Sequence, residues 1–121
     1  MELDILTVNG KGIAIVRSAQ VLITDVQSAL DFIATVEYQT GCSRIIIKKE
    51  AIIEEFFDLS TKIAGDILQK FVNYRVKMAI VGDFKIYSSN SLRDFIYESN
   101  RGREIFFQPD EEQAVGKLSI D

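Results

Sequence analysis

The sequence has no histidine among its 121 residues, which removes a large part of enzyme chemistry. A chain without histidine has no Ser-His or Cys-His nucleophile pair, no histidine general base and no mixed Cys/His zinc site. The patterns HExxH, GxGxxG, GxSxG and GxxxxGK[ST] are absent too. We therefore predict a protein that is not an enzyme, with no catalytic residue, metal or cofactor, and keep carboxylate-based catalysis as the weakest alternative.

Cysteine and long hydrophobic runs are also scarce, and both bear on the compartment. Cys42 is alone, so no internal disulfide forms, which agrees with a reducing environment. The longest apolar runs, such as IAIV and MAIV, are far shorter than the roughly 20 residues of a membrane span. No basic segment followed by an apolar one opens the chain. We predict a soluble, cytoplasmic protein that does not bind membranes.

An excess of positive charge is missing as well. The chain has 18 acidic and 14 basic residues, a net charge of -4 and a pI near 4.9. Binding to a nucleic-acid backbone relies on lysine and arginine that neutralise phosphates. Nucleic acid is therefore excluded as an expected partner.

The residues that are present suit one folded unit. The length is that of a single domain, and 47% of the residues are hydrophobic. No low-complexity tract, internal repeat or linker interrupts the sequence. We predict one domain over residues 1–121.

A β-hairpin is predicted at the start of the chain. Two β-rich stretches, LDILTV and GIAIVR, flank the turn NGKG. The Asn9-Gly10 pair supplies the positive φ angles that a tight hairpin turn requires.

Helices and further strands alternate after the hairpin. The capping box TDVQ, with Thr24 as N-cap and Gln27 three residues later, begins a helix that ends near Thr40-Gly41. The three isoleucines of RIIIKKEAII predict a strand buried on both faces. An apolar stripe over 63–72 predicts a second helix, and MAIVGDF the next strand.

The last part of the chain repeats this alternation. Ser91, with Asp94 three residues later, begins a third helix that ends at Gly102 in a left-handed conformation. REIFFQ is a strand, and DEEQAVGKL is a short helix for which Asp110 is a plausible N-cap. The pattern predicts an α/β fold with a mixed sheet, in which the hairpin precedes β-α-β units and the last three strands are parallel.

This element order resembles that of the STAS domain, the fold of bacterial anti-sigma factor antagonists. FFDLSTKIAG is similar to the loop at a strand end of that family, and MAIVGDF is similar to the strand that follows it. SLRDFIYESNRGREIFFQPDEEQAVGKL is similar to the family's C-terminal segment. The sequences FVNYRVKMAIVGDF and SLRDFIYESNRG resemble more closely a bacterial family called domain of unknown function 4180. This resemblance implies no activity.

The STAS resemblance implies a regulatory site in residues 58–61. In phosphoregulated STAS proteins the acceptor serine lies two residues after the loop aspartate, as Ser60 does after Asp58. A phosphate there is tolerated by a helix N-terminus and repels an acidic partner. Asp58 then holds the loop through hydrogen bonds to backbone amides, or is part of the surface that a kinase recognises. The alternative for Ser60 and Thr61 is an ordinary helix cap.

A second candidate site lies beyond the carboxyl ends of the strands. In open α/β sheets ligands bind in this crevice, where Asp58, Ser60, Asp83 and Asp110 are expected to gather. Three carboxylates favour a cation or a basic partner, whereas turn formation and capping are the alternative roles.

Three arginines near the third helix form a further candidate. Arg101 and Arg103 flank Gly102, and Arg93 lies on the helix itself. The alternatives are a small anion or partner site and a solvated surface.

The leading prediction from the sequence is a regulatory module that binds another protein, a kinase among the candidates, and is switched by phosphorylation at residues 58–61. The alternative is a domain that binds a small molecule or anion in the strand-end crevice. The edge of the N-terminal hairpin is a candidate for pairing with a second copy in a homodimer.

Overall fold

A five-stranded mixed sheet forms the centre of the computed structural model, which describes residues 1–120. The strands follow one another across the sheet in chain order. They are β1 (Glu2–Val8), β2 (Lys11–Arg17), β3 (Arg44–Lys48), β4 (Lys77–Val81) and β5 (Ile105–Gln108). Four helices accompany them: α1 (Val26–Thr40), α2 (Ile63–Asn73), α3 (Asn90–Arg101) and α4 (Glu111–Leu118). The structure confirms the predicted single α/β domain with a mixed sheet.

The N-terminal hairpin forms as predicted. β1 and β2 are antiparallel, with Val8 opposite Lys11 across the turn. Asn9 and Gly10 have φ angles of 53° and 76°. These positive φ angles match the right-handed twist of the two strands, which is why this residue pair is favoured in tight hairpin turns.

The remaining strands are parallel, so their carboxyl ends share one edge of the sheet. β2 pairs with β3, β3 with β4 and β4 with β5 in this orientation. Ile45, Ile46 and Ile47 of β3 are all buried. Three consecutive buried side chains require cover on both faces, because successive strand residues point to opposite sides.

The helices provide that cover unequally. α1, α2 and α3 contribute buried side chains to a large core on one face, which also receives Ile45 and Ile47. On the other face, α4 alone packs through Ala114 and Leu118 against Ile46 and its neighbours. None of the helices within residues 1–120 is long and apolar enough to cross a membrane.

Two predicted helix boundaries are wrong by one or two residues. The N-cap of α1 is Asp25, whose carboxylate accepts a hydrogen bond of 2.8 Å from the Ser28 N–H. The Ser28 hydroxyl accepts one of 3.0 Å from the Asp25 N–H. This reciprocal pair lies one residue beyond the predicted Thr24 and Gln27, because serine also reaches back from the third helical position.

The third helix begins earlier than the sequence predicts. Its N-cap is Ser89, which accepts a hydrogen bond from the Leu92 N–H, and not Ser91. Gly102 follows the helix as predicted, but its φ angle is -85°, which is not left-handed. The Gly102 N–H instead donates to the Ser99 carbonyl, so this end closes without the left-handed residue.

The strand predicted over RIIIKKEAII is shorter in the structure. β3 ends at Lys48, and the chain continues through three 3₁₀ turns, Lys49–Ala51, Glu54–Phe57 and Leu59–Thr61. These turns bury Phe56 and Phe57, which adds two aromatic rings to the core. The segment therefore brings side chains to the carboxyl edge of the sheet.

Candidate ligand-binding cleft

A cleft of about 740 Å³ opens beside the carboxyl ends of β4 and β5. Apolar and aromatic side chains make up much of its wall, with a few charged groups among them. The lining residues are Gly82, Asp83, Phe84, Lys85, Tyr87, Leu92, Arg93, Ile96, Phe107 and Pro109.

Two successive elements build the walls. After β4, the carboxylate of Asp83 accepts a hydrogen bond of 3.0 Å from the Lys85 N–H and so fixes a 3₁₀ turn over Phe84–Ile86. Helix α3 then presents Leu92 and Ile96 to the cleft. These two residues lie four apart and therefore project from the same side of the helix.

Aromatic contacts hold the wall together. The rings of Phe57 and Tyr87 are stacked, with centroids 5.4 Å apart and planes inclined by 17°. Phe84 meets Phe57 at 6.0 Å and Phe107 edge-on at 5.4 Å. Offset and edge-to-face ring pairs are favourable arrangements, so this side of the cleft is preformed.

Lys49 lies behind the aromatic wall. Its ammonium group donates a hydrogen bond of 3.1 Å to the Tyr87 hydroxyl, which donates one of 2.8 Å to Glu54 Oε2. The ammonium also lies 5.3 Å from the Tyr87 ring centroid and 5.6 Å from that of Phe57. Only 11% of the Lys49 side chain is exposed, so these contacts replace most of its hydration.

Gly82 makes room for the Lys49 side chain. A Cβ atom at residue 82 would lie 2.6 Å from Lys49 Cδ and 2.8 Å from Cγ. Atoms do not approach so closely without a shift of the side chain or the backbone. A glycine directly after β4 therefore allows the aliphatic part of the Lys49 side chain to pack against the backbone.

The local environment sets the protonation states of this pair. Burial lowers the pKa of Lys49, but its hydrogen bond with Tyr87 and the charges of Glu54 and Glu50 raise it more, so the pKa lies above its usual value. Burial, together with the hydrogen bond to Glu54, raises the pKa of Tyr87 despite the opposing effect of Lys49. At neutral pH Lys49 is an ammonium ion and Tyr87 a neutral phenol.

The loop of residues 58–61 exposes its polar side chains, whereas Leu59 is half-buried against the core, and short-range hydrogen bonds hold the loop. Asp58 Oδ1 accepts hydrogen bonds from the Ser60 N–H at 3.1 Å and from the Ser60 hydroxyl at 2.6 Å. Asp58 thus holds the loop through one backbone amide and one hydroxyl, both of Ser60. The Thr61 hydroxyl donates to the Asp58 carbonyl at 2.8 Å.

Neither hydroxyl occupies the N-cap position predicted for α2. That position belongs to Lys62, whose φ angle is 66°, and its side chain makes no capping bond. Thr61 contributes only an acceptor 3.3 Å from the Ile63 N–H. The predicted cap is displaced because Ser60 and Thr61 belong to the 3₁₀ turn Leu59–Thr61, and the left-handed Lys62 lies between this turn and the helix.

The carboxylates expected to gather at the strand ends have separate roles. Asp83 lines the cleft, whereas Asp58 and Asp110 are not among its lining residues. Asp110 is the N-cap of α4, as predicted, and accepts from the Gln113 N–H at 2.8 Å. Among residues 1–120, no three acidic or cysteine side chains are grouped to hold a metal ion.

The three candidate arginines are divided between two clefts. Arg93 lines the cleft at the carboxyl edge. Arg101 and Arg103 line a second cleft of about 470 Å³ beside the amino ends of β4 and β5. Lys77 and Lys117 line it too. The three arginines therefore do not form the single anion site considered from the sequence.

Sequence reasoning missed Lys49 and Tyr87. They are 38 residues apart, and each has an ordinary local role, one after a strand and the other in a loop. The available signal was a lysine directly after a strand buried on both faces, where a charged side chain needs a partner.

Together, the fold and the cleft define a small α/β domain with a candidate ligand-binding site at the carboxyl edge of a mixed sheet. The family model described as Domain of unknown function (DUF4180) matches residues 8–118. The chain belongs to this family, as the sequence resemblance indicated. Comparison with curated proteins found no match, and comparison with solved structures found none either. The STAS-like topology stays a prediction.

Proposed function

We propose that this protein is a small-molecule-binding module, and that the ligand enters the cleft beside β4 and β5. The observation that carries the proposal is the cleft itself. It has a volume of about 740 Å³, and its apolar walls are formed by Phe84, Leu92, Ile96 and Phe107. Ligand sites of proteins are concave, mostly apolar and typically about 300–1,000 Å³. In open α/β sheets they lie outside the carboxyl ends of the strands.

The protonation states favour binding over turnover. A general base near neutral pH needs a pKa close to 7 and a deprotonated form that is populated. The raised pKa values of Lys49 and Tyr87 keep both groups protonated. As an ammonium ion and a neutral phenol, they support the cleft wall and are not general bases at neutral pH.

N-Phenyl-1-naphthylamine, a neutral dye that fluoresces in apolar surroundings, tests this proposal. We expect saturable binding to the purified protein. We expect Ile96→Trp to weaken it at least about tenfold, or about 1.4 kcal/mol, because the larger indole projects into the cleft beside Leu92. Tyr97→Trp is the matched control, since Tyr97 is the next residue of α3 and is 61% exposed. Equal binding by both variants, or no binding by the wild type, would contradict the proposal.

A second candidate function is the regulated protein interaction predicted from the sequence, with another protein as partner. It is supported by the exposure of Ser60 and by its 2.6 Å bond to Asp58. A phosphate on Ser60 adds about -1.5 to -2 charges beside this carboxylate and replaces the donated proton. Phosphorylation is therefore expected to open the loop.

Mass spectrometry after incubation with ATP and a lysate of the source cells tests the second candidate. A phosphoryl group on Ser60 or Thr61 supports it. The exposed serines Ser88 and Ser91 serve as internal controls for unspecific labelling. An unmodified loop, while an added control substrate is phosphorylated, argues against a switch at residues 58–61.

A further inference from the structure

The charged side chains of the cleft are predominantly positive. Among the lining residues that the structure describes, Lys85 and Arg93 are the cations and Asp83 is the one carboxylate. The chain as a whole has a net charge of -4, so this local excess runs against its composition. We infer that the ligand of the cleft is a small organic anion, with an acidic group beside an aromatic or otherwise apolar body. This inference rests on the proposed function.

The two cations are available to a ligand. Within residues 1–120, the side chains of Lys85 and Arg93 have no ion pair and no hydrogen bond to another residue. Asp83 differs, because its Oδ1 already accepts the Lys85 backbone N–H at 3.0 Å. Both cationic side chains are exposed, so their charged ends can meet an acidic group that enters from solvent.

The position of Arg93 supports the same conclusion. Arg93 follows Leu92 in the first turn of α3, and this turn contains no acidic residue. A helix N-terminus carries partial positive charge, so an arginine there is locally unfavourable, whereas an anion is favoured. The helix dipole and the guanidinium therefore act together on a negative group at this side of the cleft.

The other walls indicate the rest of the ligand. Phe84 and Phe107 meet edge-on, and Leu92 and Ile96 complete an apolar surface. Such a surface accepts a ring or a branched hydrocarbon body. Arginine binds carboxylate, phosphate and sulfonate groups through paired N–H donors, so the acidic group belongs to this shared class.

A matched pair of dyes tests the inference. 8-Anilinonaphthalene-1-sulfonate has the same ring system as N-phenyl-1-naphthylamine and adds one sulfonate. We expect the sulfonate to bind at least about tenfold more tightly at low salt, which is the usual gain from one hydrogen bond to a charged group. Added NaCl should reduce the difference, because the cations are exposed to solvent.

Charge-neutralising variants locate the effect. Arg93→Gln and Lys85→Gln should each remove most of the preference for the sulfonate, measured as the ratio of the affinities for the two dyes. Arg101→Gln is the control, because Arg101 lies on the same helix but lines the second cleft. If Arg101→Gln and not Arg93→Gln removes the preference, the anion binds elsewhere and the inference is overturned.

The remaining outcomes separate this inference from the proposed function. Equal affinities of the two dyes, with Ile96→Trp still weakening both, would overturn the anionic class and leave a neutral ligand site. If neither dye responds to Ile96→Trp, the proposed function fails and the inference fails with it. Circular dichroism of each variant tests whether the fold is intact.

Discussion

The Lys49 ammonium donates a hydrogen bond of 3.1 Å to the Tyr87 hydroxyl, which joins the segment after β3 to the wall of the cleft. Glu54 accepts the proton of the same hydroxyl at 2.8 Å. One phenol therefore serves a cation and a carboxylate that lie close together in the chain. Because Lys49 is mostly buried, its contacts fix the orientation of the Tyr87 ring.

Replacement of Lys49 by methionine should destabilise the protein. Lys49→Met keeps most of the unbranched apolar stem but removes the ammonium group and its hydrogen bond to Tyr87. We expect a loss of about 1–2 kcal/mol in the free energy of unfolding. Urea denaturation measures it. Lys48→Met is the control, because Lys48 is exposed and its change should stay within about 0.5 kcal/mol. Equal effects of the two changes would contradict a structural role for Lys49.

Tyr87→Phe tests whether Lys49 and Tyr87 act as a pair. The phenylalanine retains the stack on Phe57 but leaves the ammonium without its hydroxyl partner. We expect the loss of unfolding free energy in the double variant with Lys49→Met to be smaller than the sum of the two single losses. The difference should be about 0.5–1 kcal/mol or more. Strictly additive losses would show that the two side chains contribute independently.

Gly82→Ala should destabilise the protein although it adds only one methyl group. The new Cβ would overlap Lys49 Cγ and Cδ, so we expect a loss of about 1–3 kcal/mol. Gly65→Ala on α2 is the control of opposite sign, because a Cβ there meets nothing within 4 Å and alanine favours the helix by about 1 kcal/mol. A Lys49→Ala background should reduce the cost at Gly82, and an unchanged cost would contradict the overlap.

The parts of the fold that the sequence predicted correctly depend on local signals. Asn9-Gly10 supplies a turn through its own backbone angles, and the three isoleucines of β3 require two covered faces wherever the strand lies. Helix starts depend on more than a local signal, because Thr24 and Asp25 are adjacent and each is a good cap. Which of them is used depends on the side chain that reaches back from the helix, here Ser28.

The cleft was only partly predictable. Asp83 follows a predicted strand, so its place at the carboxyl edge follows from topology. Lys49 lies in a 3₁₀ turn after β3, and Tyr87 directly follows the 3₁₀ turn Phe84–Ile86, and no periodic pattern indicates these turns. The aromatic residues Phe56 and Phe57 are buried by the 3₁₀ turns that follow β3, and their burial reflects tertiary packing, which the sequence pattern does not encode locally.

The N-terminal ends of two helices should make stability depend on acid pH. Hydrogen bonds from Ser28 lower the pKa of Asp25, and those from Gln113 lower the pKa of Asp110, each from an ordinary value of 3.8. A carboxyl whose pKa is lower in the folded state stabilises the fold fully above the unfolded value. This contribution is lost as the pH falls through the folded pKa.

Asp110→Asn isolates that contribution, because asparagine still offers an acceptor oxygen to the Gln113 N–H but does not titrate in this range. We expect the wild type to have a higher free energy of unfolding than the variant near pH 6. This difference should shrink below about pH 4, as the carboxyl becomes protonated. Urea denaturation at several pH values measures both proteins. Asp25→Asn should behave alike at the other helix, and a margin that stays constant down to about pH 2.5 would show that the carboxylate charge does not stabilise the cap.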